Sequence, residues 1–91
     1  MTSATDLYSR TNVDVNSFVI RYSINRNDLD TTMIQLDSTV QKFQKPHGID
    51  IPNWWSNNIN ELKTYKFKPD TNTWFFAIDF KNLTIYCWGK H

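Results

Sequence analysis

Covalent staples are missing from this chain: Cys87 is its single cysteine, so no disulfide can close within it. Small secreted domains usually lean on several disulfides, so a lone thiol argues for a reducing compartment and a cytoplasmic location. Glycine is nearly as scarce, with Gly48 and Gly89 alone, which leaves no glycine-rich loop to cradle a phosphate. The histidines are His47, in a turn beside Gly48, and His91; with one cysteine they offer no pair at metal-ligand spacing. Glu61 is the sole glutamate, which leaves little for chemistry that needs paired carboxylates. No apolar run reaches the length of a membrane span, and Met1 is not followed by the basic-then-apolar pattern of a secretion signal. A strong charge of either sign is also lacking. Ten Lys and Arg stand against nine Asp and Glu, a net charge of +1, too little for a dedicated duplex-DNA binder. Together these gaps lead to the expectation of no metal, no cofactor, no membrane insertion and no enzyme activity.

What the chain does have is aromatic side chains. Four Trp, four Tyr and six Phe make up 15% of its 91 residues, and large flat side chains let a short chain build a core from few positions. The length suits one domain. Residues 1–12, rich in Ser, Thr and Asn, read as a flexible N-terminal segment, and 13–91 as a single α+β domain.

From Phe18 to Ile24 apolar residues alternate, with Phe18, Ile20, Tyr22 and Ile24 on one face, the pattern of a strand with one buried side. Val13 and Val15 are out of phase with it, which calls for a turn or bulge near Asn16 and Ser17. The period then changes. Leu29, Met33, Leu36, Val40 and Phe43 follow at steps of four and three, predicting a long helix over 28–45 with Asn27 as its cap and Pro46 and Gly48 as its stop. A second, short helix is expected at 53–61, with Trp55, Ile59 and Leu62 on one side.

The last third predicts a three-stranded meander, with turns at Pro69-Asp70-Thr71-Asn72 and at Lys81-Asn82. A two-residue turn at Lys81-Asn82 pairs Ile78 with Ile85 and Phe76 with Cys87. A four-residue turn at 69–72 pairs Phe67 with Trp74 and Tyr65 with Phe76. Every residue in those pairs is apolar, and a one-residue slip would scatter them over both faces. The expected fold is therefore β-α-β-β-β with a short extra helix, its antiparallel C-terminal three-stranded meander packed on one long helix.

The same register collects Phe75, Tyr86 and Trp88 on the opposite face, flanked by Lys66 and Lys68. Three explanations compete for this patch. It is buried within the domain, under the Trp54-Trp55 segment or the N-terminal strand. It is a protein interface, including a homodimer, anchored by aromatic residues with a basic rim. Or it binds single-stranded RNA or DNA, with bases stacked on the rings and phosphates met by Lys66, Lys68 and Lys90. Low total charge favours protein over nucleic acid. The expected function is a small non-catalytic protein-binding module, such as a stoichiometric inhibitor, an antitoxin-like factor or an adaptor. Its contact residues would be Trp54, Lys66, Lys68, Phe75, Tyr86 and Trp88. Cys87 should be an inert thiol on the core face. Asp79, alone or with Asp70, is the remaining acidic feature of interest.

Overall fold

The structure is a computed structural model that describes residues 5–68 and 73–90. The expected turn at 69–72, with Asp70, and the terminal His91 lie outside the described residues. Six strands form one antiparallel sheet: β1 (Thr5–Asn12), β2 (Ser17–Ser23), β3 (Asp37–Thr39), β4 (Lys63–Phe67), β5 (Trp74–Asp79) and β6 (Thr84–Lys90). Their spatial order is β1-β2-β6-β5-β4-β3. One helix, α1 (Arg26–Met33), and a 3-10 turn at Ile59–Glu61 complete the regular structure among the described residues.

The meander forms in the expected register. Ile78 faces Ile85, Phe76 faces Cys87 and Phe75 faces Trp88 across β5 and β6, while Tyr65 faces Phe76 and Phe67 faces Trp74 across β4 and β5. Apolar pairing on one face fixes this alignment, because a one-residue slip would carry the whole row to the opposite face and break the pairs. β2 then pairs with β6 and places Ile20 opposite Cys87. The resulting inner face packs Phe18, Ile24, Tyr65, Phe76, Ile78, Ile85 and Cys87 against Leu29 of α1, which is fully buried.

Three expectations change at the sheet edges. Residues 5–12, read as a flexible lead-in, form β1, whose register with β2 runs from Asn12↔Ser17 to Thr5↔Ser23 with a bulge before Tyr8. The helix is shorter than 28–45: it begins at Arg26, capped by the Asn25 side chain (Oδ1 to the Asp28 N–H, 2.8 Å), and ends at Met33. Thr31 and Thr32 turn their hydroxyls back onto the Asn27 and Asp28 carbonyls, and such residues support a helix poorly. The next stretch, Asp37-Ser38-Thr39-Val40, holds only weak helix formers. It pairs with β4 instead, and the Thr64 hydroxyl donates to the Thr39 carbonyl at 2.8 Å. Finally, the short helix expected at 53–61 contracts to the 3-10 turn, although Trp55, Ile59 and Leu62 do share one packed side.

β3 is consequently the place where the chain crosses the sheet. α1 covers one face, and after β3 the irregular segment 40–62 lies across the other. Phe43, Ile49, Trp54, Trp55, Ile59 and Leu62 pack there against Val19, Phe75, Ala77, Tyr86 and Trp88. The sheet is thus apolar on both sides and works as the middle layer of three.

Candidate functional site

The structure brings Phe75, Tyr86 and Trp88 together on one face, as the register requires, but it buries them. Trp88 is 3% exposed and Tyr86 8%. Phe43 sits edge-on to Trp88 at 4.9 Å, and Trp55 meets Tyr86 edge-on at 5.1 Å. Phe75 is half-buried and stacked on Trp88, with ring centroids 5.9 Å apart. Trp54, expected as an exposed anchor, belongs to the cover: it stacks on Tyr8 at 5.6 Å, and its carbonyl accepts from Arg21 Nη1 at 3.3 Å. Of the six proposed contact residues, only Lys66 and Lys68 are exposed. The aromatic face is interior because segment 40–62 supplies its own apolar residues to it.

The cover is tied down from β1 and β2. Asn12 Nδ2 donates to the Gly48 carbonyl at 2.8 Å, and Arg10 Nη1 reaches the Asp50 carbonyl at 3.5 Å. The Arg21 guanidinium lies over the rings of Tyr8 and Tyr86, at 5.5 and 6.0 Å from their centroids. Gly48 adopts φ +80°, a backbone angle that favours glycine, and a Cβ there would stand 2.6 Å from Asn12 Nδ2 and displace that side chain.

Where the cover begins, at 38–46, it leaves two open clefts. One, of about 390 Å³, is lined by Ser38, Thr39, Val40, Lys42, Lys63 and Tyr65, among others. The second, of about 330 Å³, lies between Gln41, Gln44 and Lys45 on one side and Phe75, Trp88 and Lys90 on the other. No carboxylate lines either cleft among the described residues. Val40, 95% exposed, stands beside the lysines of the first. Sequence reasoning missed this surface because the helical stripe placed Val40 inward; the run of weak helix formers before it was the available signal.

No known protein family, curated protein or solved structure matches this chain.

Four titratable groups depart from their ordinary values. Cys87 is buried opposite Phe76, as expected, and burial pushes its thiol well above the ordinary range. Burial, with a smaller contribution from Cys87, pushes Tyr22 up to about 12, and burial also raises Tyr65. Asp79 goes the other way. Partial burial opposes its ionisation, but the Asn82 side chain and the Asn82 and Lys81 backbone N–H groups donate to it at 2.8–3.1 Å, and with the Lys81 charge they hold its carboxyl below the usual value. This carboxylate closes the β5–β6 turn, where Leu83 takes φ +53°. Among the described residues no group of three His, Cys, Asp or Glu side chains could hold a metal ion, and no helix is long and apolar enough to cross a membrane.

Proposed function

We propose that the chain is a non-catalytic protein-binding domain that meets an acidic partner on the lysine-lined surface around 38–46. The observation that carries this reading is the pairing of two carboxylate-free clefts on either side of one strap. Lys42 and Lys63 line the first and Lys45 and Lys90 the second, with Val40 exposed between positively charged neighbours. A basic rim around an exposed aliphatic residue suits an acidic segment with one apolar side chain. The reading of a stoichiometric inhibitor, antitoxin-like factor or adaptor rests on this surface and on the small size of the domain. A cytoplasmic setting is consistent with the single buried thiol. Single-stranded nucleic acid is the weaker reading, because a stacking platform needs several reachable rings, and Tyr86 and Trp88 are buried here. The same burial removes the reason to invoke a homodimer through that face.

The test is charge reversal at two exposed positions, Lys42→Glu with Lys63→Glu, assayed against a Glu-rich peptide carrying one leucine and against oligothymidylate. The double variant should melt like the wild type and lose the peptide, and wild-type binding should weaken as salt rises. Oligothymidylate binding with a steep salt dependence, and none by the peptide, would replace the protein reading with the nucleic-acid one.

A further inference from the structure

The other side of the sheet carries a separate feature. α1 is eight residues long and cannot cover all of the inner face. Beside it, above the ends of β4 and β5, lies a cleft of about 410 Å³, within the range of small-ligand sites. Its floor is aromatic: Tyr22, Phe67, Trp74 and Phe76. Trp74 is fixed there, edge-on to Phe18 at 5.8 Å, at 6.2 Å from Phe67, and with its indole N–H donated to the Lys90 carbonyl at 3.0 Å. The wall is the polar side of α1, which presents Asp28, Thr31 and Thr32, continued by Gln35 just beyond the helix end.

Three properties of this cleft favour a cation. Asp28 is its one charged residue, and no lysine, arginine or histidine lines it among the described residues. The faces of aromatic rings carry negative charge density and attract cations. The cleft also runs past the carboxyl end of α1 to Gln35 and Leu36, and the last turn of that helix has no basic residue to offset its negative end. A flat cation uses all three at once. A guanidinium stacks on rings and offers several N–H donors to a carboxylate, a threonine hydroxyl or a glutamine carbonyl, which a compact ammonium does less well. We infer that this cleft is a second binding site, one that takes an arginine side chain from a basic partner segment. It shares no lining residue with the two lysine-lined clefts, and the two readings stand or fall separately.

The experiment is an NMR titration of the full chain with N-acetyl-arginine amide and with its uncharged counterpart, N-acetyl-citrulline amide. The arginine compound should give saturable shifts, in the millimolar range, at the Trp74 indole N–H and at the amides of Thr31, Thr32 and Gln35; citrulline should give none. Asp28→Asn should weaken binding about three- to fivefold, the scale of one solvent-screened charge contact. Gln35→Lys, at an exposed position that also offsets the helix end, should keep the fold and remove the saturable shifts. Equal shifts with citrulline, no shifts with arginine, or unchanged binding by the folded Gln35→Lys variant would each overturn the assignment.

Discussion

Trp88 shows how much depends on whether a ring faces solvent or the interior. With 3% of its surface exposed and Phe43, Trp55 and Phe75 around it, Trp88→Ala should cost about 3–5 kcal/mol of the roughly 5–15 kcal/mol that holds such a domain together. Chemical denaturation should show that loss; a variant of unchanged stability would mean the ring is not packed. Asp79 is worth less. Removing its carboxylate as Asp79→Ala deprives the Lys81 and Asn82 N–H groups of their acceptor, an expected loss of about 1 kcal/mol. Because its carboxyl titrates below the unfolded value, that contribution is whole above about pH 4 and fades as the pH falls through the folded value. Stability of the Asp79→Ala variant should therefore fall less steeply in acid than that of the wild type. The thiol and phenols act at the other end. Cys87, Tyr22 and Tyr65 all titrate above their ordinary values of 9.0, 10.0 and 10.0. Their contribution is complete below those values and is lost as the pH rises past them. Thermal melts should drop from about pH 9 upward, and Cys87→Ala should delay that onset.

At the scale of elements, the instructive case is the stretch after Met33. Spacing alone gave Leu29, Met33, Leu36, Val40 and Phe43 one helical stripe, and the first three do pack on the inner face. Phe43 packs on the opposite face and Val40 on neither. Val40→Asp should accordingly change stability by no more than about 0.5 kcal/mol, whereas a core helix position would lose several times that; urea denaturation distinguishes the two. Gly48→Ala should destabilise by about 1–2 kcal/mol, because alanine resists that backbone angle and its Cβ meets Asn12. Short-range pattern made the meander readable: β4, β5 and β6 are consecutive in sequence with few residues between them, and one face is apolar throughout. It could not reveal the path of 34–62, which is set by contacts with residues far away in the chain. Arg10, Asn12 and Arg21 hold carbonyls some 33–40 positions later, and nothing local in 5–12 marks it as the strand that supplies two of those ties. The aromatic patch was legible as a patch, and its burial was one of the readings open from sequence; the lysine surface at 38–46 was hidden by the helical stripe.

For the whole molecule, a net charge of +1 conceals an uneven surface. Lysines gather about the 38–46 strap and the β4–β6 ends, while the α1 side presents Asp28 beside a cleft with an aromatic floor. Two layers of chain on one sheet leave little of the sheet itself to bind with, so recognition moves to the margins of the layers, where the strap begins and where the short helix stops. The measurement that reaches this claim most directly is an NMR map of the full chain titrated with the Glu-rich, leucine-bearing peptide. Shifts confined to 38–46, Lys63, Lys66 and Lys90, with the Trp88 indole and the Tyr86 amide unmoved, are the predicted result. Shifts centred on Trp88 and Tyr86, with the cover displaced from them, would contradict both the buried face and the lysine surface.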